Sequence, residues 1–298
     1  MTVLDDELLQ EFQESLRAKN RQPATVESYG RDALDFLRFL ARSGLTIRAV
    51  EPQTLVSFRD HLLHQENEAE NSVRRKVIGV RQFYRFLVDS RTIGDSPFDS
   101  VPLPERDDEL KVSIGESKLE DLLQNLPSTS FKHVRDRAIL LLLAYEGIKA
   151  NELIDLQWSH YLKGPKVSTL TIPGGKSRTI VLQEESAACL DLYAQIYSRW
   201  RQSLSASEKD RYLWIFVAFK GKDSSLVLPH MTRHGLKFML HEIGERYQIK
   251  HLHTESLRHH AIQFQLGRGQ SAEAIMNHFG LRRLGNIGKH LAQLRTQS

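Results

Sequence analysis

Hydrophobic positions recur at helical spacing through the first ninety residues. Leu8, Leu9, Phe12 and Leu16 share one side of a helix over 4–19. Pro23-Ala24-Thr25 opens a second helix, with Tyr29, Ala33, Phe36, Leu37 and Leu40 in register, and Ser43-Gly44 stops it. Glu51-Pro52 starts a third, carrying Leu55, Phe58, Leu62 and Leu63. A fourth runs over 72–88 with Val73, Val77, Val80, Tyr84 and Leu87 inward, while Arg74, Arg81 and Arg85 share another face. Gly94 to Glu109, with three prolines and an acidic run, reads as an interdomain linker.

The second half mixes periods. A short helix is predicted over 117–126. Residues 136–145 form a strongly apolar helix stopped by Gly147, a C-cap glycine, and 151–156 form another short one. Residues 166–172 and 178–182 alternate as two strands joined by the turn Pro173-Gly174-Gly175-Lys176-Ser177. A helix over 184–204 follows, then a short strand or buried segment over 213–218, a loop over 220–229 and a helix over 233–247. The chain ends in a basic, His-rich helical stretch.

Composition adds a soluble globular class, with 40% hydrophobic and 26% charged residues in 298, enough for two domains each with a core. The formal net charge of +4 conceals an asymmetry. Residues 1–110 carry 15 basic and 20 acidic side chains, leaving a net of +9 for the rest. A basic half points to a polyanionic partner, with nucleic acid the usual one. Cys189 is the single cysteine, which excludes an internal disulfide and a Cys-based zinc cluster. His251/His253 and His259/His260 lack the i, i+4 spacing that stacks two ligands on one helical face, so no metal is expected. No cofactor is implied. The acidic N-terminus lacks a signal peptide's basic and apolar regions, and the longest apolar run is too short to span a bilayer. A cytoplasmic protein without membrane association is expected.

Three motifs carry a resemblance. Tyr145-Glu146-Gly147-Ile148-Lys149-Ala150-Asn151-Glu152-Leu153-Ile154-Asp155-Leu156-Gln157-Trp158 resembles the T-G-L-R-x-S-E-L-x-x-L-x-W box of the tyrosine recombinase (phage integrase) family. The strand pair around Pro173 to Leu182 resembles that family's lysine hairpin. Glu255-Ser256-Leu257-Arg258-His259, then Phe279-Gly280-Leu281 and His290, resemble its H-x-L-R-H, L-G-H and nucleophile positions. In the first hundred residues, Thr25-x-x-Ser28-Tyr29 and Phe83-Tyr84-Arg85-Phe86-Leu87 are similar to its core-binding domain. The resemblance implies a mainly α protein with a small β-hairpin or sheet. Its two domains would be a helical core-binding domain over 1–105 and a catalytic-like domain over 112–298.

Within that frame the family's chemical positions are altered. Arg is replaced by Lys149, Lys by Pro173, the first His by Glu255, the second by Leu281 and the nucleophilic Tyr by His290; Arg258 is retained. Lys offers a point charge where Arg grips a phosphate with a planar fork. A carboxylate at 255 repels a phosphodiester, and Leu281 has no hydrogen bond to give. Transesterification needs a hydroxyl nucleophile, a proton donor and clustered cations together. The expectation is therefore a DNA-binding pseudoenzyme, a nucleoid-associated clamp on duplex DNA that regulates transcription, organises DNA or modulates recombination. The resemblance assigns DNA contacts to Arg74, Arg75, Arg81, Lys149, Lys176, Arg178, Arg258, His259, Arg282 and Arg283. A second copy of the chain or an active recombinase would be its protein partners. The competing reading is a divergent recombinase or nuclease using Lys149, Lys176, Arg258 and His253, with His290 or a nearby Tyr as nucleophile. A third, a pure protein-interaction module, fits the net of +9 poorly.

Overall fold

The computed structural model describes residues 3–103, 114–174, 177–221, 225–281 and 288, with side chains from Asp5 onward. The chain divides into two compact units, 1–109 and 110–298.

The first unit holds four helices: α1 (Val3–Ala18), α2 (Pro23–Arg42), α3 (Pro52–His64) and α4 (Glu70–Asp89). Proline sits in the first turn of α2 and of α3, where its missing N–H costs no intrahelical bond. Thr54 reaches back to the Glu51 N–H at 3.1 Å and closes a capping box on α3. The apolar faces meet in an aromatic core. Phe36 lies edge-on to Phe58, Tyr84 and Phe98, with centroids 5.0, 5.9 and 5.7 Å away. Phe98 and Val101 thus belong to the core of this unit. The segment read as linker is therefore fixed in its first half by an aromatic anchor, and residues 104–113 lie outside the described ones.

The second unit is built on α6 (Phe131–Ala144). Ten of its 14 residues are buried, the ion-paired Arg135 and Asp136 among them, and its second half, Ala138 to Ala144, is apolar on every side and runs through the core. It packs against α8 (Glu184–Gln202) and α11 (Thr254–Gly267). The remaining helices are α5 (Glu116–Asn125), α7 (Ala150–Ile154), α9 (Ala206–Lys209), α10 (Arg233–Arg246) and α12 (Ala272–Phe279). A three-stranded antiparallel sheet has the order β1 (Tyr161–Leu162), β2 (Thr169–Ile172), β3 (Arg178–Val181). Leu170 pairs with Ile180 on its buried face, and Thr171 with Thr179 on the other, their hydroxyls 3.1 Å apart. The strand predicted over 166–172 is shorter, because Lys166 and Val167 precede the ladder and are exposed. The loop predicted over 220–229 is corrected too. Ala218–Lys220 and Leu226–Leu228 pair as a small hairpin, β4 and β5. Three residues are too few to show a period of two. Among the described residues no helix is long and apolar enough to cross a membrane.

Candidate nucleic-acid interface

Lys149 is the N-cap of α7, and its backbone N–H donates to Glu152 Oε2 at 3.0 Å. Its ammonium lies 3.2 Å from Glu152 Oε1. Arg178, at the start of β3, grips the same carboxylate with both terminal nitrogens, at 3.0 and 2.9 Å. This is a bidentate charge-assisted pair. Burial alone would raise the Glu152 carboxyl. The Arg178 hydrogen bonds, the Lys149 N–H and the two positive charges outweigh it and hold the group at about 2. Glu152 is thus an anionic hub between two cations.

Arg258 lies in α11, buried. It donates from Nη1 to the Gly147 carbonyl and from Nη2 to the Phe279 carbonyl at 2.8 Å, with its guanidinium 5.6 Å from the Phe279 ring centre. Burial lowers its pKa, with Glu152 and Glu255 opposing and Arg178 adding to the shift. Arg178 donates its Nε to the His278 carbonyl at 2.7 Å. Residues 278 and 279 end α12, where carbonyls lack intrahelical partners and the helix dipole is negative. The two arginines supply both the hydrogen bonds and the compensating charge. Gly147 and Gly280, each with φ of +59°, permit this approach. A Cβ at Gly147 would clash with the edge of the Phe279 ring.

The other predicted positions are placed as follows. Glu255 is exposed in the first turn of α11, where the helix dipole favours an acid. His253 caps the same helix: its Nδ1 accepts from the Ser256 N–H at 3.0 Å. That hydrogen bond puts the ring proton on Nε2. His259 is half-exposed on α11. Pro173 is half-buried just past β2, and Leu281 packs on Ala261, Ile262, Ile275 and Phe279. Lys176, Arg282, Arg283 and His290 lie outside the described residues.

In the first unit, Arg75 is engaged by Ser28 and by the fully buried Asp32, whose Oδ1 is 2.6 Å away. Arg81 is half-buried, and burial lowers its pKa, with Arg85 and Arg74 adding to the shift and Asp99 opposing it. Among the described residues Arg81 Nε and Nη2 are buried without an acceptor, and Arg74 is half-buried on the same helix.

One basic element was not singled out from the sequence. Arg233, Lys237 and His241 recur every four residues and are exposed on α10. With Lys250 they line a cavity of about 670 Å³ whose wall includes Ala150 and Thr254, the first residues of α7 and α11. The i, i+4, i+8 spacing of basic residues was the available signal.

Residues 9–91 match the family described as phage integrase, N-terminal SAM-like domain, and residues 113–289 match the phage integrase family. A tyrosine recombinase XerC of Staphylococcus saprophyticus is 25% identical over 268 residues, 89% of this chain and 85% of the relative. One from Bacillus licheniformis is 26% identical, covering 88% and 84%. The crystal structure of a XerH site-specific recombinase bound to a palindromic difH substrate superposes with a TM-score of 0.69 at 13% identity, covering 92% of this chain and 77% of that one.

Proposed function

Because this chain belongs to the phage integrase family, we propose that it binds duplex DNA and does not complete strand cleavage. The observation that carries the reading is the cluster of Lys149, Arg178 and Arg258, held by Glu152 and the end of α12. Arg258 uses two of its five N–H donors on backbone carbonyls, which leaves three for a phosphate. The stripe Arg233, Lys237 and His241 borders the same region and extends the basic surface along a backbone. Arg74 and Arg81 would add phosphate contacts from the first unit. Lys176, Arg282, Arg283 and His259 are further candidates for the same role.

Loss of cleavage follows from the residues at the chemical positions. Lys149 gives a point charge already shared with Glu152, Glu255 presents a carboxylate, and Leu281 is spent on packing. Its work would then be DNA organisation, transcriptional regulation or modulation of recombination at the nucleoid, with a second copy or an active recombinase as protein partner. An active recombinase is the second reading. It is favoured by relatives named tyrosine recombinases and by the retained Arg258.

The deciding experiment pairs a gel shift on duplex DNA with a suicide duplex that traps a covalent adduct. Binding without an adduct supports the proposal, an adduct supports the second reading, and absence of binding defeats both. His290→Tyr, incubated with the same suicide duplex, is expected to give no adduct. Each missing transition-state contact typically costs ~10² to 10³ in rate, and one restored group leaves several absent.

A further inference from the structure

Two adjacent residue pairs meet at the end of α12. Gly147 and Phe279 hold Arg258 between their carbonyls. One residue earlier in each segment, Glu146 meets His278. The His278 Nε2 lies 3.2 Å from the Glu146 carbonyl oxygen and 3.6 Å from its Oε2. A carbonyl only accepts, so Nε2 carries the proton. Glu146 is wholly buried: its Oε1 accepts from the Gln183 N–H at 2.8 Å, and among the described residues its Oε2 makes no hydrogen bond, with this imidazole 3.6 Å away and the Ser186 side chain also facing the carboxyl. The His278 carbonyl in turn receives Arg178. Four consecutive contacts therefore run from the turn between α6 and α7, through α12, to both arginines. In the family box the residue before the glycine is threonine; here it is Glu146.

We propose that the buried Glu146 and the half-buried His278 are positioning residues, a pair that clamps the end of α12 to the α6–α7 turn and so sets where Arg258 and Arg178 point. The pair rests on the reading that these arginines meet DNA phosphates. The charged groups facing it are Arg178 from β3 and Arg258 from α11, while Gln183 and Ser186 face it from the α8 side without charge. Burial pushes His278 down against its bond to the Glu146 carbonyl, and both arginines add to the fall, while burial pushes Glu146 up against the Gln183 N–H and Ser186. Both shifts favour an uncharged pair. Protonating His278 would place a third cation near the two arginines while its bond to the Glu146 carbonyl is kept.

The test uses the full chain and a fluorescein-labelled duplex of mixed sequence. His278→Ala weakens binding about tenfold, the size of one hydrogen bond in a charged network. His278→Gln keeps an N–H for the Glu146 carbonyl and restores most of the affinity. His278→Ala costs less in an Arg258→Ala background than in the native chain, because part of its effect passes through that guanidinium. Equal loss in His278→Gln, or additive losses, overturns the proposal. A second readout is independent of DNA: the Arg258 and Arg178 Nε–H resonances, assigned by their loss in the alanine variants. They shift in His278→Ala and return in His278→Gln. In the native chain they move as pH falls below the ordinary histidine value of 6.5 and His278 takes up a proton, and in His278→Gln they do not. Resonances unmoved in His278→Ala, or a titration that persists in His278→Gln, overturn the proposal even where the alanine variants bind DNA poorly. If Arg258→Ala binds DNA normally, the DNA reading of this site fails, and the resonances alone decide whether the pair positions the arginines.

Discussion

Two basic regions of the second unit differ in how their charges are held. Arg178 and Arg258 are sunk into the fold, each moored to backbone carbonyls and one of them to a bidentate carboxylate. Arg233 and Lys237 stand exposed on α10. The moored pair has already lost its rotamer freedom on folding, so little ordering remains to oppose contact with a fixed anion. The exposed pair must lose that freedom on contact, yet it tolerates variation in where phosphates lie. The first arrangement suits one defined phosphate, and the second suits a length of backbone.

The sharpest way to break this contrast is Arg258→Ala. It strands two carbonyls in the interior, and the expected loss is roughly 3 to 5 kcal/mol of stability, read by urea denaturation. Unchanged stability would mean that the mooring holds nothing. Glu152 comes next. Its folded value of about 2 lies below its ordinary 4.5, so its contribution is complete above pH 4.5 and is lost as pH falls toward 2. Glu152→Gln should remove on the order of 2 to 3 kcal/mol near neutral pH and flatten the acid limb of the stability curve between those values. An acid limb as steep as the parent's would assign the effect to another carboxylate.

The exposed stripe predicts smaller, salt-linked effects. Arg233→Ala with Lys237→Ala should leave the melting temperature unchanged and lower the slope of log affinity against log salt by about 2. For the parent chain, affinity should fall on the order of 10³-fold between 50 and 200 mM salt if about six phosphates are met. The smallest effect belongs to the first unit. Arg74→Ala with Arg81→Ala should weaken binding by a similar few-fold factor on every duplex tested, about 1 kcal/mol or less, as phosphate contacts do. A loss confined to one sequence would assign these residues to base reading instead.

The longer helices were legible because each carries an apolar stripe, and α6 stood out by its unbroken apolar run from Ala138 to Ala144. The strands β1, β4 and β5 were not, because two or three residues contain no measurable period. Phe98 and Val101 were read with the prolines around them as linker, since composition does not register a single aromatic anchor. In the site, motif spacing located Lys149 and Arg258. It gave no sign that Arg178 closes on Glu152, 26 residues away, or that His278 meets Glu146 across 132. Those partnerships arise from packing at the end of α12, and no local pattern encodes them. The stripe on α10 is written in the sequence as Arg233, Lys237 and His241 at a spacing of four.

The mooring of Arg258 to carbonyls has a consequence for how this chain can drift. A carbonyl belongs to the peptide bond and survives replacement of any side chain, so exchanging the residue at 279 leaves the acceptor in place. Gly147 is the exception, because its backbone conformation and the ring beside it exclude other residues. A lineage can therefore discard the surrounding chemical groups one by one and still pass on an arginine held at the same angle.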